Sequence, residues 1–419
     1  MTKSELTKLI LNSDKNIFAI VGPNTSGKSY YMNNNLYNEF SDNVLILDEE
    51  GRFRTKENMS KVKIVGNEYI YDNELSRGIS NKEYNTEKIE KNTLNMLQEM
   101  EKFKDRFNLK TMSLGSKKIL NILNAFLSYN LNHISCYLFD EPENSLDDEN
   151  LKYIMKLFDL LKNSKKKVVF ITHSPRLLEM LQLEIDNIFL FQRLYNNDVI
   201  NHSFKEIQYI FNEVGKLIND LPATNTIREY EKYDFLPNTR FSELYLEQLL
   251  KSSQFYRTLF YHHVVIVEGR TEELIAIEMT KELDINKCIF NARGKHQMIF
   301  LIKLFSLYCN KLSCIIDSDE SEKAKISLAI SLTKEIEKLK EQDKIFIYAI
   351  PKDLESYLGF DTKKVIGKLT NKENITNKFI DRFKKYKKEY LPYFVIKTDN
   401  VARNNIKKLF DLESNSYEF

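Results

Sequence analysis

Two stretches carry the residue types and spacings best suited to chemistry. The first runs Phe18-Ala19-Ile20-Val21-Gly22-Pro23-Asn24-Thr25-Ser26-Gly27-Lys28-Ser29, an apolar run that closes through two glycines on Lys-Ser. The spacing G-x-x-x-x-G-K-S is that of a phosphate-binding loop. Gly22 and Gly27 let the backbone turn so that successive N–H groups face one anion, Lys28 reaches the outer phosphates, and Ser29 holds Mg²⁺. A helix expected from Tyr30 to Phe40 directs its positive end at the same anion. The candidate nucleotide contacts are Gly22, Asn24, Ser26, Gly27, Lys28 and Ser29. The second stretch is Val264-Val265-Ile266-Val267-Glu268-Gly269-Arg270-Thr271-Glu272, a buried strand that delivers Glu268 and, four residues on, Glu272. Carboxylates gathered at strand ends without an equal set of bases call for divalent cations.

Each centre recruits further residues. Downstream of the phosphate loop, Cys136-Tyr137-Leu138-Phe139 reads as a buried strand ending in Asp140-Glu141-Pro142-Glu143. Asp140 is placed to hold the Mg²⁺ of a nucleotide through water, and Glu141 to polarise the attacking water. Two carboxylates closing an apolar strand rarely serve packing alone, because each is costly to desolvate. The strand Val168 to Thr172 ends at His173, where a γ-phosphate sensor would sit. Ser113-Leu114-Gly115 opens a helix running to about Tyr129; taken alone, Ser and Gly before a helix are usually a cap. Around the second centre, the strand Leu312 to Ile316 ends in Asp317-Ser318-Asp319, whose acids point to one side of extended chain. The strand Ile345 to Ile350 leads to Lys352-Asp353-Leu354-Glu355. Strands alternating with helices, each releasing acids at its C-terminal end, describe the edge of a parallel sheet, where ligands bind.

The rest of the chain must support two such centres. At 419 residues it has room for about two to three domains. With 29% charged and 42% hydrophobic residues the composition is globular, and 62 basic against 60 acidic residues leave any basic surface to be local. One local stretch is 361–390, with Lys363, Lys364, Lys368, Lys378, Lys384, Lys385, Lys387 and Lys388, readable as a solvated helix face or as a phosphate-backbone track. Cys136, Cys288, Cys309 and Cys314 form no C-x-x-C pair, which fits a reducing cytoplasm. No apolar run approaches a membrane span and the N-terminus is no signal peptide, so the expected location is cytoplasmic, away from membranes. The expected fold is α/β throughout, divided as 1–202, a helical connector at 203–258, and 259–419. Helix is also expected over Glu83 to Phe107, and a hairpin from Asn187 to Ile200 closes the first sheet.

In order, the phosphate loop, the S-x-G turn, DEPE, Ser145-Leu146-Asp147 and Thr172-His173-Ser174 resemble the ATP-binding-cassette heads of the SMC, RecF and OLD group. The resemblance implies ATP sandwiched between two heads of a homodimer or higher oligomer. Lys28, Ser29, Asp140, Glu141 and His173 would act from one head, and Ser113, Gly115 and Asp147 from the other. The segment ahead of the loop is short for the β-subdomain that carries the group's adenine-stacking aromatic, so adenine or guanine stays open. VEGRTE, DSD and DLE look like a Toprim fold, a Rossmann-like metal-binding module. An ABC-type phosphate-loop ATPase domain followed by Toprim is the OLD-nuclease architecture. It implies Mg²⁺ or Mn²⁺ held by Glu268, Glu272, Asp317, Asp319 and Glu355. It also implies a lysine near the scissile phosphate, for which Lys397, after an expected strand Tyr393 to Ile396, matches best. The function expected is an ATP-regulated nuclease acting on DNA rather than RNA, in anti-phage defence, with a defence-system protein as partner. Two alternatives stay open: a partner- or phage-triggered Toprim effector cleaving RNA such as tRNA, and a RecF-like DNA-binding ATPase without cleavage.

Overall fold

The computed structural model describes residues 1–40, 44–55, 62–71, 86–106, 113–192, 199–221, 237–282, 286–318, 328–341, 345–350, 354–359, 361–371, 375–387 and 390–411. They cluster into two compact units, Met1–Ser203 with Leu250–Tyr256, and Phe204–Leu249 with Arg257–Phe419. The stretch expected as a separate connector is thus shared between the two.

The first unit is built on a seven-stranded sheet of β1 (Ile17–Val21), β2 (Val44–Leu47), β3 (Phe53–Thr55), β7 (Cys136–Asp140), β8 (Lys167–Ile171), β9 (Ile188–Phe191) and β10 (Val199–Ile200), in the order β10-β9-β1-β8-β7-β2-β3. The five inner strands are parallel, and β3 and β10 pair antiparallel at the edges. Continuous apolar runs such as Ile17–Val21 are what a sheet covered on both faces requires, and every residue of β1 is buried. The hairpin partners β9 and β10 close the sheet as expected. A small antiparallel sheet of β4 (Val62–Val65), β5 (Glu68–Tyr71) and β6 (Thr86–Lys88) lies apart.

Helices α1 (Lys3–Asn12), α2 (Lys28–Tyr31), α3 (Lys91–Lys104), α4 (Leu114–Ser128), α5 (Asp148–Asn163) and α6 (Pro175–Leu181) complete this unit. The helix expected over 83–107 is shorter, because its first described residues pair as β6 and helix starts only at Lys91. The helix after the phosphate loop widens into a π-helical turn over Met32–Leu36 before it ends at Glu39. Two devices place the functional strand ends. Phe158 of α5 packs between Phe139 and Phe170, with ring centroids 4.9 and 5.2 Å away, and so ties α5 to the ends of β7 and β8. Lys167 donates to the carbonyls of Ile10, Leu11 and Ser13 at 2.6, 2.6 and 2.8 Å, capping the C-terminus of α1 beside the start of β8.

The second unit holds a four-stranded, wholly parallel sheet of β11 (His263–Val267), β12 (Cys288–Asn291), β13 (Lys311–Asp317) and β14 (Ile345–Ile350), in the order β12-β11-β13-β14. Its main helices are α7 (Phe204–Asp220), α8 (Arg240–Leu250), α9 (Arg270–Glu282), α10 (Lys295–Ser306), α11 (Leu328–Lys338), α12 (Thr362–Thr370), α13 (Asn377–Lys387), α14 (Tyr390–Thr398) and α15 (Asn400–Asp411). Helices α7 and α8 pack on α10: Phe211 meets Phe300 edge-on at 5.0 Å, and the Tyr245 hydroxyl donates to Gln297 at 3.1 Å. The expected strand Tyr393 to Ile396 is instead part of α14. Leu391 and Val395 lie one helical turn apart and both face the core, and Pro392 sits in the first turn, where no backbone donor is lost. All four cysteines are buried and free.

His263, at the start of β11, shares a 2.8 Å hydrogen bond with Ser313 of β13 deep in this sheet. Burial first, then Lys287 and Lys311, push its imidazole down to about 3. Between pH 3 and 6.5 the unfolded chain therefore binds the extra proton, so this group's contribution is full above 6.5 and lost as pH falls. Unfolding of the second unit at pH 7 and pH 5 is expected to show a loss of about 2 kcal/mol from this residue. His263→Gln is expected to flatten that dependence, and an unchanged slope would refute the assignment.

Candidate functional site

In the first unit three parallel strands release their functional residues at one edge. Gly22 follows β1 at φ +139°, and a Cβ there would lie 2.2 Å from the Phe191 carbonyl oxygen, so the approach of the loop to β9 demands glycine. Gly27 takes φ +87° as the N-cap of α2. Lys28 is buried, and its ammonium donates to the carbonyls of Gly22 and Pro23, both at 2.9 Å. Burial pulls this lysine down to about 8, against the opposing pull of Glu141 and Asp140. Ser26 is buried in the loop; Asn24 and Ser29 are exposed. Ser29 donates to Asp140 at 3.1 Å, which joins the two expected Mg²⁺ contacts across β1 and β7.

Glu141 adopts φ +47°, a left-handed turn that swings the chain off β7, while its N–H still bonds Ile171 of β8 at 3.1 Å. His173 Nε2 lies 3.3 Å from Glu141 Oε1. Burial, then Lys28, lower His173 to about 4, so it meets Glu141 as a neutral imidazole. Burial raises the Glu141 carboxyl, with Glu143 and Asp140 adding to the effect. The structure therefore brings together the expected loop, the Asp-Glu pair and the histidine.

Ser113 accepts from Ser116 N at 3.1 Å and caps α4. A Cβ on Gly115 would stand 2.9 Å from the Ser145 carbonyl, so α4 packs its first turn hard against the turn after β7. Asp147 is likewise the N-cap of α5, accepting from Asn150 N at 2.8 Å. Two residues that sequence reasoning missed join here. Buried Lys118 of α4 donates to the carbonyls of Glu141 and Asn144 at 3.3 and 3.1 Å. Glu143 accepts from the Thr172 hydroxyl at 2.6 Å and from His173 N at 3.0 Å. Glu143 is visible in the DEPE run, but nothing local sets it apart from a surface acid.

In the second unit the strand order makes the crevice between β11 and β13 the point at which the connections diverge, the usual ligand position of an open parallel sheet. Glu268 follows β11 and Asp317 closes β13, and the Asp317 N–H donates to Glu268 Oε2 at 3.3 Å. Glu272 folds back over Gly269, its Oε2 3.1 Å from where a Cβ would stand. Asp319 lies outside the described residues. Glu355 is the second residue of the helix after β14 (Leu354–Leu358), and its side chain lies outside them too. Lys397 lies on α14, bonded to Glu278 of α9 and 5.6 Å from the Tyr393 ring, and so is engaged there.

Buried Lys295, also missed in the sequence, donates to the Asp317 carbonyl and stands 3.7 Å from Glu268 Oε2. Its only sequence signal is the Arg293-Gly294 turn before α10, where Gly294 N bonds the Glu268 carbonyl at 2.8 Å. Among the described residues no group of three or more acidic, His or Cys side chains converges on one metal position. The three described acids supply oxygen donors only, which fits a hard divalent cation rather than a soft one.

Fold and sites together define a phosphate-loop, ABC-like ATPase joined to a Toprim domain. Residues 32–179 match an AAA domain family whose description names the AbiEii toxin and Type IV TA systems. Residues 259–319 match the family described as overcoming lysogenization defect protein-like, TOPRIM domain. The two matches in this order are those of an OLD-family ATPase–Toprim fusion. The chain is also similar to an ABC transporter of metal-chelate type in an inward-facing conformation, at 14% identity over 47% of this chain and 74% of that one, TM-score 0.28. It is similar as well to the SMC head domain from Thermotoga maritima, at 16% identity over 46% of this chain and 91% of that one, TM-score 0.23. No curated protein matches it significantly. Among the described residues no helix is long and apolar enough to cross a membrane.

Proposed function

We propose that this chain is an ATP-regulated, divalent-metal-dependent nuclease of OLD type that cleaves phosphodiesters in nucleic acid, DNA in preference to RNA. The observation that carries the reading is the approach of Asp317 to Glu268 at the divergence point of a parallel sheet, in a chain that also holds an ATPase site. Glu268, Glu272 and Asp317, with Asp319 and Glu355, would hold Mg²⁺ or Mn²⁺. The bound cation supplies Lewis acidity and a water acidic enough to ionise near neutral pH. The chain's own part is to fix the acids: the Asp317 N–H and Lys295 hold Glu268 in one orientation, and the buried sheet beneath excludes water. Exposed Lys363, Lys364 and Lys368 of α12, with Lys378, Lys384 and Lys387 of α13, suit a phosphate backbone.

In the ATPase half, Lys28 and the loop amides bind the triphosphate, Ser29 and Asp140 hold its Mg²⁺, Glu141 polarises water and His173 reads the γ-phosphate. Ser113 and Gly115 would complete the site of a second copy, so that nucleotide state governs pairing and access to the acids. A role in anti-phage defence follows the family's association.

Plasmid nicking by the full chain in Mg²⁺ or Mn²⁺, with and without ATP, tests the reading. Nicking is expected, with loss of more than about a hundredfold in Glu268→Ala and in Asp317→Ala. Cleavage of tRNA alone would transfer the reading to RNA, and DNA binding without cleavage would overturn it.

A further inference from the structure

The carboxylate of Glu143 stands at the ATPase edge and has no part in the proposed chemistry. Its Oε1 takes two donors from the end of β8, the Thr172 hydroxyl at 2.6 Å and His173 N at 3.0 Å. The Thr172 hydroxyl in turn accepts from Ser174 N at 2.9 Å, so one carboxylate oxygen organises three successive residues around the histidine. Its Oε2 is buried and has no hydrogen-bond partner among the described residues. On the other side of the same turn, Lys118 holds the Glu141 and Asn144 carbonyls. A buried acid with one oxygen unsatisfied is expensive. A solvated residue or an alanine here would avoid that expense, so the acid is kept for what its other oxygen does.

We propose that Glu143 is a positioning residue for ATP hydrolysis: it ties the turn after β7 to the end of β8 and thereby sets the 3.3 Å separation of Glu141 and His173. Glu141 rides on the turn that Glu143 belongs to, and His173 hangs from the N–H that Glu143 accepts. With that link broken, the two strand ends are still joined by the Glu141 N–H to Ile171 bond, but the His173 N–H loses its carboxylate acceptor. The nucleotide-binding loop is untouched. The expected signature is therefore a loss in turnover and not in ATP affinity.

The inference rests on the ATPase reading of the first unit, and the experiment separates the two. In steady-state ATP hydrolysis by the full chain, Glu143→Ala is expected to lose at least about tenfold in kcat with KM for ATP within about twofold of wild type. Glu143→Gln keeps the acceptor oxygen and is expected to recover to within about threefold. Thr172→Val is expected to lose severalfold, and adding it to Glu143→Ala is expected to cost nothing more, because both act through one link. An Ala variant with wild-type kcat, a Gln variant as impaired as Ala, or additive losses in the double variant would overturn the proposal. Glu141→Gln serves as the control: if it hydrolyses ATP at the wild-type rate, the ATPase reading itself falls.

Discussion

Lys28→Met is expected to weaken ATP binding by more than about a hundredfold while the first unit unfolds no more easily than wild type. The ammonium of Lys28 is buried among loop carbonyls, and burial already pulls it down to about 8. A cation held in so little water is a cost to the fold, offset only in part by two carbonyls, the Ser26 hydroxyl and the neighbouring acids. A triphosphate changes that balance, since each charge-assisted bond from lysine to a phosphate oxygen contributes about 1.5–3 kcal/mol. Methionine matches the length of the stem and removes both the cost and the contact. Titration with a fluorescent ATP analogue, paired with thermal unfolding of the ligand-free protein, reads the two effects separately. Affinity within threefold of wild type would show that the loop does not bind phosphate through this residue.

Lys295→Met is expected to abolish nicking and to destabilise the second unit by about 2–3 kcal/mol in the absence of divalent ions. Lys295 is buried at the acid crevice, with the Asp317 carbonyl and Glu268 as its neighbours. Removing it takes the Lys295 charge away from half-buried Glu268, which costs more than the pair itself contributes. The figure falls below the about 3–5 kcal/mol of a fully buried pair because Glu268 keeps partial contact with solvent. Two controls follow from the same argument. Millimolar Mg²⁺ is expected to restore more stability to Lys295→Met than to wild type, since the ion replaces the missing positive charge. Lys295→Met combined with Glu268→Gln is expected to regain the lost stability and not the cleavage. Denaturant unfolding with and without Mg²⁺ measures both, and a Lys295→Met chain that unfolds and nicks like wild type would remove this lysine from the site.

The parts of the molecule legible in the sequence are those whose physics is local. The turn from Gly22 to Ser29 is one contiguous piece of backbone, so its glycines, lysine and serine declare it before any fold is known. The same holds for Asp140-Glu141, two charges closing an apolar run, and for β11 and β13, whose largely apolar character announces burial on both faces. Where a local signal is ambiguous the reading fails: Tyr393 to Ile396 is a short apolar run that suits strand or helix equally, and only packing of Leu391 and Val395 settles it as helix.

What tertiary structure alone decided is which distant residues share a site. Sheet order put β11 beside β13 and so set Asp317 against Glu268, forty-nine positions away along the chain. It put the end of β8 next to β7, so that Glu143 could take His173 in hand, and it let Lys118 and Lys295 place their charges under turns of other elements. A lysine or glutamate in a helical or turn sequence looks the same whether solvated or buried. The free energy of a buried charge depends on the partners that the fold brings to it, and those partners leave no trace in the residues on either side.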